Sequence, residues 1–201
     1  MAPPRRRAEG GPARRATWAG WLAGLALAAG LAIGLQAAMH LPTAERVWLG
    51  QGVSGYLRAR SGGELAVFGP AAGGWLRAAA PVWAAGLWPK VGVALVALAL
   101  GMHGFSLGMA LGAASALGPA GFGGAVLAVL PGNVLAVPTL SWLGARAASM
   151  SAARRGGIRP VPAGYVWLGV AVLGGVTLSS ACEAALAPLL LRAAGIVPHL
   201  G

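Results

Sequence analysis

The sequence predicts an all-α fold, a polytopic membrane helical bundle of about five transmembrane helices, from three observations. Hydrophobic residues make up 57% of the 201 and charged residues only 9%, whereas a soluble domain carries about 25% charge to clothe its surface. Uncharged runs reach 22 residues at 18–39 and 55 residues between Lys90 and Arg146. The 15 Lys and Arg residues gather at the borders of such runs, as topology signals do. The net charge of +11 therefore points to anionic lipid as the partner and not to nucleic acid.

Composition also narrows the chemistry. The chain has no Asp, Lys90 is its one lysine, and its acids are Glu9, Glu45, Glu64 and Glu183. An aspartyl intramembrane protease, a Walker-type nucleotide site and an EF-hand each need an Asp or a Gly-Lys-Ser/Thr run that is missing here. Cys182 stands alone, and His40, His103 and His199 are too scattered for zinc-ligand spacing. No catalytic, metal or cofactor-binding residue is predicted.

In chain order, residues 1–16 are basic and rich in Pro, Gly and Ala, and read as a disordered cytoplasmic tail ahead of an integral membrane domain over 17–195. The first span, 18–39, is long enough at about 1.5 Å per residue to cross a core of roughly 30 Å. It is longer than the h-region of a secretory signal, so it reads as a retained anchor. Residues 41–74 mix five charges with eight glycines, which predicts an exposed outer loop, with 41–70 wholly outside the membrane. The segment 71–88 is short for a span unless Arg77 snorkels to the interface. Beyond Lys90, the 55 uncharged residues correspond to about 80 Å of helix, more than two crossings. The turn chemistry of Leu117-Gly118-Pro119-Ala120-Gly121 divides them into spans near 91–114 and 122–143. A last span covers 165–191. Counting 71–88 as a crossing places ten cations inside and five outside, in keeping with the positive-inside rule.

Four patterns inside these spans invite a role. Gly101, Gly104, Gly108 and Gly112, with Gly20/Gly24 and Gly30/Gly34 in the first span, form small-residue stripes that let helices approach closely in lipid. Leu130-Pro131-Gly132-Asn133 and Pro138 lie in the fourth span. The two prolines free the carbonyls of Leu127 and Val134, which predicts a broken or re-entrant helix with Asn133 as a candidate donor. Glu183 lies deep in the last span, where a carboxylate must face the bundle interior and find a partner. With no second acid at matching depth, it reads as a structural or partner-binding group and not as a proton relay. Gly52-Val53-Ser54-Gly55 spells the Gly-x-Ser-Gly of rhomboid proteases, but no base is placed against Ser54, and a Gly/Ser turn is the simpler reading.

The ordered run Gly104-Phe105-Ser106, Gly121-Phe122, Leu130-Pro131-Gly132-Asn133 with Pro138, and Glu183-Ala184 with Pro188 resembles the stage II sporulation protein M family. The resemblance extends over about 15–195 and departs from the family at Gly132, where Gln is usual. It implies a non-enzymatic scaffold in the cell membrane, at the mother-cell septal membrane during sporulation. It also implies recruitment of the peptidoglycan hydrolases called stage II sporulation proteins D and P, for septal wall thinning and engulfment. Gly104, Phe105, Leu130, Pro131, Asn133, Pro138, Glu183 and Pro188 would then be structural or interaction residues. A small permease or transport subunit with a broken-helix site is the alternative.

Five spans with a cytoplasmic N-terminus predict that alkaline phosphatase is active when fused after Leu57 or Gly201 and inactive after Gly156. Activity after Gly156 would overturn this topology.

Overall fold

The computed structural model describes residues 12–60, 64–154 and 160–195, and among them it is helical with no strand. Six helices follow in order: α1 (Pro12–His40), α2 (Thr43–Arg60), α3 (Glu64–Ala85), α4 (Gly92–Ser115), α5 (Gly118–Ala153) and α6 (Ala163–Ala193). Four of them, α1 from Trp18 onward, α4, α5 and α6, are long and apolar enough to cross a membrane. The architecture is a membrane helical bundle. Leu25, Leu98, Met102 and Leu173 are exposed on its flanks, where lipid takes the place of water.

The α1–α4 pair is the tightest contact of the bundle. A Cβ on Gly30 would collide with the carbonyl of Gly101, one on Gly34 with that of Phe105, and one on Gly104 or Gly108 with those of Leu27 or Leu31. The numbers rise together along both helices, so α1 and α4 run parallel. Backbones this close exist only because these positions lack side chains, the means by which membrane helices gain packing without a hydrophobic drive. Gly20 and Gly24, expected to contribute a similar stripe, face open space.

The remaining helices alternate in direction. Gly132 against Glu183 and Gly175 against Thr139 make α5 and α6 antiparallel. Trp75 against Glu183 and Gly169 against Trp83 do the same for α3 and α6. The α3–α4 turn is clasped from two sides. Tyr165 Oη donates to the Trp83 carbonyl at 2.6 Å and Trp83 Nε1 to the Tyr165 carbonyl at 3.3 Å, with the two rings stacked 6.0 Å apart. Arg154 Nη1 donates to Leu87 O at 2.6 Å and Ser151 Oγ to Trp88 O at 2.8 Å. These side chains tie the α3–α4 turn to α5 and α6; the Trp83 and Trp88 carbonyls also accept from the backbone N–H groups of Gly86 and Gly92. Trp18, Trp21, Trp88 and Trp167 are exposed at this same end, as in the aromatic belts of membrane interfaces.

Several expectations change. The outer loop expected at 41–70 holds α2 and the first turns of α3, because Leu57 and Val67 find buried places that a local hydropathy sum does not see. The Gly-x-Ser-Gly run, expected as a turn, lies within α2, where Ser54 Oγ donates to Gln51 O at 2.8 Å. The tail expected over 1–16 is helical from Pro12; residues 1–11 lie outside the described residues, as do Arg155 and Arg159. The segment expected at 71–88 is α3, beginning seven residues earlier at Glu64. The broken fourth helix is not found. The expected 122–143 span is part of a continuous 36-residue helix that contains both Pro131 and Pro138. Unwinding it in hydrocarbon would expose several backbone groups, whereas each proline leaves one carbonyl short of a bond. The turn at 117–121 is where it was expected, with Gly118 at φ 77 and a proline in the first turn of α5.

Gly104→Leu should force α1 and α4 apart and lower stability by about 1–3 kcal/mol or more, while Gly20→Leu should leave it unchanged. Thermal melting of the detergent-solubilised protein checks the contrast.

Candidate functional site

The bundle centre is organised around one carboxylate. Glu183 is 3% exposed. Its Oε2 accepts a hydrogen bond from Trp75 Nε1 at 3.1 Å, and its Oε1 accepts one from Tyr56 Oη at 3.3 Å. The donors come from α3 and α2, so one α6 side chain ties three helices. A fourth takes part through an absence, since a Cβ on Gly132 of α5 would lie 2.5 Å from Glu183 Oε2. The carboxylate occupies the space that a side chain at position 132 would need. Glycine at a place where the resembled family has Gln therefore has a local physical reason.

A cavity of about 780 Å³ opens between α3 and α4 and reaches this cluster. Its walls are mainly Ala, Leu, Pro and Trp, and its polar lining comes from Tyr56, Arg77, His103, Ser106, Asn133 and Glu183. The His103 and Trp75 rings pack with centroids 5.2 Å apart. Asn133 Nδ2 donates to Val129 O at 2.8 Å, one turn back in its own helix. This corrects the expected bonds to the carbonyls freed by the prolines, those of Leu127 and Val134. Asn133 Oδ1 and His103 Nε2 are buried without a hydrogen-bond partner, and buried polar atoms in that state are uncommon enough to require an explanation. Among the described residues, no group of three His, Cys, Asp or Glu is placed to hold a metal ion.

Arg77 does not behave as expected either. Rather than snorkelling to an interface, its side chain folds back along α3, with Nε donating to Gly73 O at 3.2 Å and Nη2 3.5 Å from where a Cβ on Gly73 would lie. Gly73 is nine residues from Glu64 and twelve from Ala85, so the guanidinium lies about 14 Å and about 18 Å from the ends of α3. A charge held among apolar helices is costly unless something polar meets it.

The structure brings only some of the motif residues together. Asn133 and Glu183 line the cavity, Gly132 lies against Glu183, and Pro131 and Pro188 are buried on α5 and α6. Gly104 lies on the α1–α4 seam, while Phe105, Leu130 and Pro138 face outward. Trp75, Tyr56 and His103 were not singled out for this site. Tyr56 lies in the stretch read as exposed loop and Trp75 in the short segment 71–88 read as a crossing, 127 and 108 residues from the carboxylate that they bind. Arg77, a charge inside an otherwise apolar segment, was the one available signal.

In comparisons with known proteins, no family model, curated protein or solved structure matches this chain.

Glu183→Gln should be tolerated, because the amide oxygen still accepts from Trp75 while the amide nitrogen donates to the Tyr56 hydroxyl, which can rotate. Glu183→Leu should strand both donors at a cost of about 1–3 kcal/mol each. Gly132→Ala should be more damaging than Gly123→Ala, which enters open space. Melting temperature and membrane-fraction yield measure all three.

Proposed function

We propose that this protein is a non-enzymatic membrane scaffold of the sporulation engulfment complex, acting in the mother-cell septal membrane. There it would recruit the septal peptidoglycan hydrolases known as stage II sporulation proteins D and P. The observation that carries the proposal is the meeting of two resembled motifs at one point. Asn133, from Leu-Pro-x-Asn, and Glu183, from Glu-Ala-x-x-x-Pro, line the same cavity although about 50 residues separate them, with Gly132 against Glu183 at its polar centre. In that centre Glu183 accepts hydrogen bonds from two other helices, which suits a tie that holds a bundle in shape. The natural hydrolase-contact surface is α2, which caps one end of the bundle and exposes Val47 and Trp48.

A permease or transport subunit is the second reading, favoured by the cavity with its unpartnered Asn133 Oδ1 and His103 Nε2. A broken fourth helix no longer supports it, because α5 is continuous.

Deletion in a sporulating host, with imaging of fluorescent stage II sporulation protein P, tests the scaffold. The expected outcome is hydrolase scattered around the mother-cell membrane and septa that bulge without engulfment. Normal localisation and normal spores would overturn the proposal and put transport first.

A further inference from the structure

We propose that the α3–α4 cavity is a binding site for an anionic single-chain lipid, with a carboxylate or phosphate monoester on Arg77 and a hydrocarbon chain along the apolar wall. The proposal is independent of the scaffold reading and would hold for a permease as well.

Four observations lead to it. The first is the charge. Arg77 is exposed, lines the cavity, and spends Nε on the carbonyl of Gly73, and no carboxylate pairs with it among the described residues. A cation on the wall of a mainly apolar cavity in a membrane bundle calls for a counter-charge or water, and marks a site where a partner must be named. Glu183 is not that partner. It is 3% exposed and already accepts hydrogen bonds from Trp75 and Tyr56, whereas Arg77 is exposed.

The second observation is shape. From Ala78 to Ala85 the cavity follows α3 for seven residues, about 10 Å, or a third of a hydrocarbon core. Ala78, Ala84, Ala85 and Ala99 keep the wall shallow, and Leu95 and Leu98 line the facing side. This stretch has no polar side chain, so it suits a hydrocarbon chain and no hydrophilic solute. The volume of about 780 Å³ falls within the range of ligand pockets.

The third observation is access. Leu98 and Met102 line the cavity and are 59% and 62% exposed, so the mouth faces the bilayer and a lipid enters sideways without crossing water. The fourth is the unmatched hydrogen-bonding capacity nearby. His103 Nε2 and Asn133 Oδ1, buried and without partners, belong to residues of the same lining. A protonated acid oxygen or a water held between headgroup and protein would satisfy them. A neutral lipid would answer the shape and leave the charge unmet; a soluble anion would answer the charge and leave the apolar wall bare.

Native mass spectrometry of the purified chain, released from detergent and titrated separately with oleate, farnesyl phosphate and oleyl alcohol, tests the site. The expected result is one saturable equivalent of at least one acid, bound at least 10-fold more tightly than the alcohol; whichever acid binds tells the carboxylate from the phosphate source. Arg77→Gln should lose at least 10-fold in acid affinity and leave alcohol binding unchanged, Arg77→Lys should keep most of it, and Ala84→Trp, at an exposed position of the lining, should block the chain. Trp fluorescence melting establishes that each variant is folded. If Arg77→Gln does not fold, Ala84→Trp decides, since unchanged acid binding in that variant places the chain elsewhere and overturns the site. Equal binding of acid and alcohol, an unaffected folded Arg77→Gln, or no saturable binding of either acid overturns it too. Binding of an Asp-bearing transmembrane peptide, but of neither acid, would overturn it in favour of a helix-docking groove.

Discussion

A carboxylate buried in a membrane bundle has no water to turn to, and much of this structure follows from how Glu183 is accommodated. Its two oxygens draw Trp75 from α3 and Tyr56 from α2, and the space around them requires position 132 of α5 to be glycine. Removing one donor would leave an acceptor unmet in low dielectric, where that loss is larger than in water. The arrangement therefore couples α2, α3, α5 and α6, and α2 is held at the end of the bundle although its composition is close to that of a surface segment.

The other half of the bundle is held by a different kind of contact. Between α1 and α4, backbone meets backbone at Gly30, Gly34, Gly104 and Gly108, and small side chains such as Ala38 against Gly112 fill the rest. Lipid tails are as apolar as leucine, so burying apolar side chains from lipid supplies no drive, and close van der Waals approach takes its place. Polar tie and glycine seam meet at α4, whose Gly104 faces α1 while the adjacent His103 packs on Trp75. The helix thus transmits the position of one half to the other.

The cavity lies on the remaining side of α4, and its character follows from the same two contacts. The tie fixes the polar floor. The small residues on α3 leave the wall open, and the prolines in α3 do not interrupt it over Glu64–Ala85. A scaffold that seats other proteins and a chain that binds a lipid are compatible uses of such a bundle, since α2 and the cavity mouth are different surfaces.

Composition and run length by themselves determined that this chain is a helical membrane protein. Membrane insertion depends on sums of side-chain transfer energies over about 20 residues, which are additive and local. The turn at Gly118 was legible for a similar reason, because a positive φ beside a proline is a property of a few adjacent residues. Tertiary structure alone decided that residues 43–60 form a helix, that α5 passes through Pro131 and Pro138 without breaking, and that Asn133 bonds Val129. It also decided which residues meet Glu183. That a buried acid needs partners could be read from one position, but the identity of partners more than a hundred residues away depends on how helices cross. Crossing is set by the fit of side-chain surfaces, and no sum along the chain contains it.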